Sequence, residues 1–176
     1  MVLYLIEGEL QQFQPEQIQQ SLEQIAAQAT QHQSELLEAQ VGEDLQRLFV
    51  IIDAPNQAIA QQSFAAGKLS TAALLKEVRL VGQDLAAVRS RKGKANYLVE
   101  WNLPAGLTME AYLHRKAEKS PLYAQVPAVQ FERTYVCEDL SKCLCFYDSP
   151  DETTVKQARQ VVGAPIDTLT PIRNVL

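Results

Sequence analysis

Apolar and polar positions in the second half of the chain alternate in some segments and recur at helical spacing in others. Residues 96–102 alternate and are rich in Tyr, Val and Trp, which predicts a β-strand. Thr108 is a good helix N-cap, and one stripe of apolar side chains after it predicts a helix. The later pattern predicts strands at 128–137 and 142–148, a helix with Pro150 in its first turn that ends at Gly163, and a strand at 166–173 that Pro171 places at a sheet edge.

The first half of the chain follows the same β-α-β-β-α-β order. Its predicted elements are strand 2–10, helix 15–31, strands 35–42 and 46–53, helix 56–66 and strand 75–81, followed by a short linking helix at 82–90. The residues themselves also recur, because Tyr4-Leu5-Ile6-Glu7 returns as Tyr97-Leu98-Val99-Glu100 after an offset of 93 residues. An internal repeat indicates two fused copies of one unit. We therefore predict repeats at 1–82 and 96–176, joined by a basic linker at 83–95.

The central strands of both repeats are apolar on both faces, at Leu48–Ile52 and at Cys143–Tyr147. A continuous apolar run indicates burial on both sides of a sheet, and helices cover only one face of a β-α-β-β-α-β unit. The other repeat is the obvious cover for the second face. The prediction is an α+β fold in which two ferredoxin-like repeats form a dimeric α+β barrel within one chain, with no exposed sheet edges.

Charge and cysteine content narrow the setting of the protein. The net charge of the 176 residues is −5, and the single basic stretch, residues 68–94, holds no aromatic residue between its charges. It therefore fits a solvated connector better than a nucleic-acid-binding surface. All three cysteines lie in one half, which argues against a disulfide framework. With no apolar run of membrane-spanning length and no signal-peptide pattern, we expect a cytoplasmic protein without membrane contact, as a monomer or weak homodimer.

Two acidic residues, Glu7 and Glu100, recur at the same place in a strand that should be central to its sheet. A carboxylate in such a position needs a partner or an altered pKa, because unpaired burial is costly. The pair is a candidate for lining a polar cavity or binding a cation. The alternative is a wet or salt-bridged position at a strand end.

The cysteines and one histidine are candidates for a metal site. Cys143 and Cys145 share a strand face, and Cys137 joins them if the hairpin has a short turn, which makes a soft-metal or thiol site conceivable. The first repeat has Leu48 and Val50 in place of the two cysteines, which favours a role as small apolar filler. His114 lies one helical turn from Glu110 and from Glu118, a spacing that suits metal ligands or an ordinary surface pair.

Aromatic residues surround the second sheet and are able to line a pocket between the sheet and a helix, or to pack in the core. They are Tyr97, Trp101, Tyr112, Tyr135 and Tyr147. Together with the acidic pair, they define a predicted ligand site formed by Glu7, Glu100, Tyr97, Trp101 and Cys145. The predicted metal-ligating residues are His114, Glu118 and Cys143. No residue pattern identifies a catalytic group.

The second repeat resembles the nickel-binding-protein-like family of small ferredoxin-like domains. The resemblance rests on Tyr97–Glu100, the turn Leu103–Thr108, Phe131–Val136, Cys145–Asp151 and Gly163–Asp167. It covers residues 96–173 well and residues 2–81 loosely. The resemblance implies a single-domain dimer, here fused in tandem, and nickel or another divalent metal as a cofactor. It also implies histidines just after the first strand, but the matching stretches, Trp101-Asn102 and Gly8-Glu9, hold none.

Three functional hypotheses follow. The first is a non-enzymatic protein that binds a small ligand or a metal ion near Glu100, Trp101 and Cys145. The second is a cofactor-independent α+β-barrel enzyme of the oxygenase or isomerase type, with Glu7 or Glu100 as the general base. The third is an interaction or regulatory module whose acidic, glutamine-rich first half docks on a protein partner.

Overall fold

The computed structural model describes residues 1–11, 13–69 and 72–176. Its strands are β1 (Val2–Glu9), β2 (Glu35–Gly42), β3 (Arg47–Ala54), β4 (Ala72–Val81), β5 (Tyr97–Asn102), β6 (Gln130–Cys137), β7 (Lys142–Asp148) and β8 (Thr168–Asn174). Its α-helices are α1 (Pro15–Gln31), α2 (Gln57–Ala65), α3 (Leu85–Arg91), α4 (Met109–Lys119) and α5 (Glu152–Val161). Short 3-10 segments follow α3 at Lys92–Lys94 and α4 at Ser120–Gln125. Strand β4 thus begins three residues earlier than the predicted strand.

Side-chain caps define the ends of the helices in the second half. The Thr108 hydroxyl accepts a hydrogen bond from the Ala111 amide at 3.1 Å, so α4 begins where the sequence predicts. Asp151 caps α5 by accepting from the Thr154 amide at 2.7 Å. The sequence predicts Pro150 in the first turn of this helix. In the structure, Pro150 precedes the N-cap. Gly163 follows α5 with φ of +66°, a conformation that glycine adopts without strain.

The eight strands form a closed barrel in the order β1-β3-β2-β8-β5-β7-β6-β4, with β4 returning to β1. Each half contributes four neighbouring strands, and the antiparallel pairs β2–β8 and β4–β6 join the halves. This closure confirms the predicted α+β barrel within one chain. The helices α1 and α2 cover the outside of the first half, where they pack on a separate aliphatic cluster.

The barrel interior is filled by side chains from both halves. Leu5, Phe49, Leu98, Leu144 and Phe146 belong to one buried cluster there. Helix α3, in the predicted linker, closes one end of the barrel. Its residue Val88 packs into the same cluster and is only 1% exposed.

The prediction that Pro171 marks an edge strand is wrong, because β8 pairs with β5 on one side and with β2 on the other. The Pro171 carbonyl accepts from the Glu43 amide, just past the end of the β2–β8 pairing. In an antiparallel strand the N and C=O of one residue face the same neighbour. The ring nitrogen therefore faces the end of the β2 ladder, where no amide proton is needed.

The two halves are related by a pseudo-twofold axis that runs along the barrel. Strands β1 and β5 lie opposite each other in the eight-stranded ring and run in the same direction. Both halves carry a β-bulge at matching places, after Leu36 in β2 and after Phe131 in β6. The matching residues just past these bulges, Glu38 and Arg133, meet inside the barrel as an ion pair with both side chains 1% exposed. In the described part of the chain, no helix has the length and apolar character needed to cross a bilayer.

Candidate functional site

A cleft lies on the outside of the barrel, between the second-half sheet and helices α4 and α5. It contains about 390 Å³ of unfilled space, a figure that includes open solvent, and the centres of water-sized molecules can occupy about 30 Å³ of it, room for about one water molecule. Its lining contains four bases (Arg115, Lys116, Lys119, Arg159), three aromatic residues (Trp101, Tyr112, Tyr123) and two cysteines (Cys143, Cys145). The lining includes no aspartate or glutamate.

The four basic side chains of the cleft lack acidic partners. Among the ion pairs of the described residues, none involves Arg115, Lys116, Lys119 or Arg159. A buried cation without a counter-charge is costly, because the protein interior replaces its hydration poorly. The cleft therefore has a local excess of positive charge.

Arg159 is the most buried of these bases, with 2% of its surface exposed. Its guanidinium donates to the Tyr147 hydroxyl at 3.2 Å and to the Pro165 carbonyl. Its Nε has no hydrogen-bond partner in the described structure. A buried donor left unsatisfied costs roughly 1–3 kcal/mol. An acceptor that enters the cleft and accepts from Arg159 would remove this cost.

Cys145 lies beside the basic side chains at the base of the cleft. Its sulfur accepts from the Thr134 hydroxyl at 3.2 Å and lies 3.6 Å from Lys116 Nζ and 4.0 Å from Cys143 Sγ. The hydrogen bond from Cys143 and the charges of Lys116 and Arg159 hold the pKa of Cys145 well below its usual value, although burial opposes this. The same pairing with Cys145, together with burial, raises the pKa of Cys143.

The tyrosines of the cleft stay protonated. Burial raises the pKa of Tyr123 to about 12, and burial also raises the pKa of Tyr112. Tyr123 pairs its hydroxyl with that of Tyr147 at 2.7 Å. The Tyr112 hydroxyl is buried without a partner in the described structure. Its polar neighbour is the Cys143 thiol, a weak acceptor, so the hydroxyl can donate to a stronger acceptor that enters the cleft.

The first half of the chain has apolar residues at most of the positions that hold polar cleft residues in the second half, although Ser21 matches Arg115. The N-caps of the matching helices, Gln14 and Thr108, are 94 residues apart, and those of α2 and α5, Asn56 and Asp151, are 95 apart. On this alignment Ile18, Leu22, Ile25, Leu48, Val50 and Phe64 correspond to Tyr112, Lys116, Lys119, Cys143, Cys145 and Arg159. All six residues of the first set belong to a buried hydrophobic cluster. If these positions only had to fill the space between the sheet and the helices, apolar residues would suffice, as they do in the first half.

A second polar group lies inside the barrel, at the end opposite α3. Arg47 donates to both oxygens of Glu100, at 2.8 and 3.0 Å, and to Glu7 at 3.3 Å. Lys142 donates to Glu7 and, at 2.9 Å, to Glu100. The arrangement follows the pseudo-twofold axis, because Glu7 matches Glu100 and Arg47 matches Lys142. Two acids and two bases thus form a closed ionic quartet.

The pKa shifts in the quartet reflect this mutual pairing. Burial acts most strongly on Glu100 and raises its pKa, but the hydrogen bonds and charges of Arg47 and Lys142 outweigh burial and leave the pKa lowered. The hydrogen bond to Glu100 raises the pKa of Arg47. Burial lowers the pKa of Lys142, but Glu7 and Glu100 more than offset this and raise it. The two carboxylates are candidates for binding a cation. In this structure they pair with basic side chains of the protein itself.

The residues predicted as one ligand site fall on two faces of the sheet. Trp101 and Cys145 line the cleft, whereas Glu7 and Glu100 point into the barrel, because neighbouring residues of a strand face opposite sides. Tyr97 packs in the cluster beneath the second-half helices but is outside the lining of the cleft. The predicted site does not include the cleft bases Lys116 and Arg159. The repeat alignment contains a signal for both, because each replaces an apolar residue of the first half.

The predicted metal-ligating residues are not brought together. His114 and Glu118 are exposed on α4, and Cys143 is buried on the sheet below. No group of three or more His, Cys, Asp or Glu side chains in the described ranges is arranged to hold a metal ion. The prediction that Cys137 joins the other two cysteines is wrong: Val136 pairs with Cys143, so Cys137 faces the barrel interior.

The fold is an α+β barrel of eight strands closed within one chain, and several solved structures share it. A proposed chlorite dismutase shares the fold with a TM-score of 0.62 at 10% identity, over 99% of this chain and 96% of that chain. A proposed monooxygenase from Lactobacillus acidophilus NCFM has a TM-score of 0.57 at 8% identity, over 99% and 94%. An anthrone oxidase-like protein has a TM-score of 0.54 at 13% identity, over 99% and 91%. Identities this low show the fold alone.

The sequence of the second half is similar to one protein family. Residues 97–172 match the family model described as nickel responsive protein SCO4226-like. The resemblance predicted from the residues of the second repeat is thereby confirmed over this range. No curated protein matches the chain in sequence.

Proposed function

We propose that this protein binds a small organic anion in the cleft of its second half. The observation that carries the proposal is the set of four basic side chains that line the cleft without an acidic partner in the described structure. Cys145 offsets at most one of these four positive charges, and a bound anion would supply further counter-charge. This deepens the first of the three sequence hypotheses, a non-enzymatic protein that binds a small ligand.

The donor groups of the cleft support an oxyanion as the ligand. Arg159 Nε and the Tyr112 hydroxyl are buried donors without partners. Hydrogen bonds from charged or neutral donors to a carboxylate are stronger than those to an uncharged acceptor. A carboxylate reaching these two groups would satisfy both and neutralise Arg159.

The aromatic residues of the cleft support an organic body for that anion. Trp101 and Tyr123 are on its lining, and the Arg115 guanidinium lies 5.8 Å from the centre of the Trp101 ring. Small-molecule sites usually combine aromatic walls with a few polar groups in a volume of about 300–1,000 Å³. The space inside the cleft that compares with that range is only about 30 Å³, so the organic body of the anion would rest against the aromatic residues at the open side of the cleft. A planar carboxylate such as benzoate fits this description.

A divalent metal ion is the competing ligand, because the family that residues 97–172 match is named for a nickel response. The positive charge of the cleft opposes a cation there. Binding of nickel by His114, Glu118 or Cys143 stays a prediction. The same titrations test it, with Ni(II) as the probe and His114→Ala as the variant.

The test is calorimetric titration of the full chain with benzoate, acetate and phosphate at neutral pH and low salt. We expect saturable benzoate binding that Lys116→Leu weakens by about 10-fold, since a charged hydrogen bond contributes roughly 1.5–3 kcal/mol. Leucine is the residue that the first half has at this place. Lys156→Leu is the matched control, because Lys156 is exposed on α5 and pairs with Glu152 outside the cleft. No binding of any of the three anions, or equal affinity in Lys116→Leu, would contradict the proposal.

A further inference from the structure

We infer that Cys145 and Cys143 form a peroxide-reactive thiol pair at the base of the cleft. Cys145 is the residue that the oxidant attacks, and Cys143 is the thiol that condenses with the product. This inference goes beyond ligand binding. The thiol chemistry does not depend on a bound anion, so it can fail or hold independently of the proposed function.

The surroundings of Cys145 favour a nucleophilic sulfur. Lys116 Nζ lies 3.6 Å from its Sγ, and the Thr134 hydroxyl donates to the same atom at 3.2 Å. Lys116 also donates to Thr134 at 2.7 Å, which fixes the orientation of both groups. Arg159 adds a second positive charge at the same cleft. A cationic environment of this kind stabilises a thiolate, which is the reactive form of cysteine.

Within the described ranges, no acidic side chain lines the cleft around Cys145. Its neighbours are Cys143 on its own strand, Thr134 on β6, Lys116 and Tyr112 on α4, and Arg159 on α5. The first half has valine at the matching position, where a purely structural residue is sufficient.

The size of the cleft selects the oxidant. Cys143 and Cys145 both line it, yet each exposes at most 1% of its surface. The space in the cleft that the centres of water-sized molecules can occupy is about 30 Å³, room for about one water molecule. Hydrogen peroxide is only slightly larger than water, whereas bulky disulfides do not fit. A peroxide-type oxidant is therefore the class of co-reactant that reaches the sulfur.

The reaction has two balanced steps. The Cys145 thiolate attacks one oxygen of hydrogen peroxide, the O–O bond breaks, and sulfenic acid and hydroxide are formed. The Cys143 thiol then displaces the sulfenic hydroxyl, which gives a Cys143–Cys145 disulfide and one water. Hydroxide takes up the remaining proton, so two thiols and one peroxide yield one disulfide and two waters.

The geometry of the strand makes this disulfide easy to reduce. The two sulfurs are 4.0 Å apart, so they meet after a small movement. Residues two apart in a strand have Cα atoms roughly 6.6 Å apart, close to the upper limit of about 6.8 Å for a disulfide. A strained disulfide has a more oxidising potential and belongs to the labile, regulatory kind.

The test compares the full chain with Cys143→Ser, Cys145→Ser and Cys137→Ser after exposure to equimolar hydrogen peroxide. Mass spectrometry should show a loss of about 2 Da in the wild type, with the bond located in the peptide that contains Cys143 and Cys145. Cys143→Ser should accumulate a sulfenic acid on Cys145 that dimedone traps when the reacted protein is unfolded in denaturant. Cys137→Ser should behave as the wild type, because Cys137 is buried in the barrel interior. Lys116→Leu should slow the reaction by about 10-fold, as expected for loss of one nearby opposite charge.

Three results would overturn the inference. The first is oxidation of Cys145→Ser at the wild-type rate. The second is a wild-type protein that reacts no faster than free cysteine at the same pH. The third is oxidation that falls on Cys137. Because Cys143→Ser keeps Cys145 intact, it remains informative even if Cys145→Ser unfolds. Benzoate titration of these same variants shows separately whether anion binding is present.

Discussion

Replacement of Arg133 by methionine should destabilise the barrel strongly. Arg133 and Glu38 pair inside the barrel with both side chains 1% exposed, and Arg133 Nε lies 3.1 Å from Glu38 Oε2. Methionine has a similar length but no charge. The substitution would leave the Glu38 carboxylate buried among the strands of both halves without its counter-ion.

The contacts of Glu38 define the expected magnitude. Removal of one partner from a buried ion pair typically costs about 3–5 kcal/mol. Glu38 would still accept from the Tyr135 hydroxyl at 2.6 Å and from Gln40 Nε2 at 2.9 Å. These two hydrogen bonds favour the lower end, about 3 kcal/mol. For a chain of 176 residues, this corresponds to a decrease in Tm of about 6–12 °C.

Urea unfolding monitored by circular dichroism, with Tm from calorimetry, measures this loss. The double variant Glu38→Gln/Arg133→Met should recover most of it, because neither charge is then left unpaired. Arg89→Met is the matched control. Arg89 also makes a two-pronged pair, with Glu35, but the two side chains are 46% and 41% exposed. Exposed pairs contribute only about 0–1 kcal/mol.

The reasoning would be refuted if Arg133→Met cost no more than Arg89→Met. It would also be refuted if the double variant were as unstable as Arg133→Met. Either result would mean that the two charges are not energetically linked inside the barrel. In a two-state protein, an unchanged m-value across the variants would show that the comparison concerns the same unfolding transition.

Two further predictions concern the quartet and the end of α5. The pKa of Glu100 is lowered in the folded state, so its stabilising effect is fully present above the unfolded pKa of about 4.3 and is lost as pH falls through the folded value. Glu100→Gln should therefore lose about 1–3 kcal/mol at pH 7 and show a smaller fall in urea midpoint between pH 7 and pH 3.5; an unaltered acid dependence would contradict this. Gly163→Ala should lower stability by about 1–2 kcal/mol, because φ is +66° while the added Cβ would meet only Arg115 at 3.8 Å. Gly93→Ala, where φ is outside that region, should change the Tm little, and equal losses in the two variants would exclude the backbone explanation.

The repeat and the faces of the strands could be predicted from the sequence because both depend on local periodicity. The two-residue period of a strand sets which side chains share a face, and the offset between the repeats is visible in the residues. The continuous apolar runs in β3 and β7 then required a cover on each side. These observations sufficed for the closed barrel, for the position of Cys143 and Cys145 on one face, and for the recurrence of Glu7 and Glu100.

The partners of these residues depended on how the two halves meet. Glu38 and Arg133 occupy matching positions 95 residues apart, and nothing local indicates that the pseudo-twofold axis brings them into contact. The face of Cys137 depended on the register of the β6–β7 pair, and a shift of one residue reverses a face. The quartet likewise required Arg47 and Lys142 to meet the two acids across the barrel.

The sequence by itself determined that two similar units fold around a shared interior, because burial of apolar strand faces is a strong and non-directional requirement. Only the tertiary structure decided where the charges are satisfied. Hydrogen bonds and ion pairs need atoms within about 3 Å of each other, and strand closure and helix docking set those distances. That is why Glu100 has its partners inside the barrel, while Lys116 and Arg159 lie without acidic partners at the cleft, where the structure describes them.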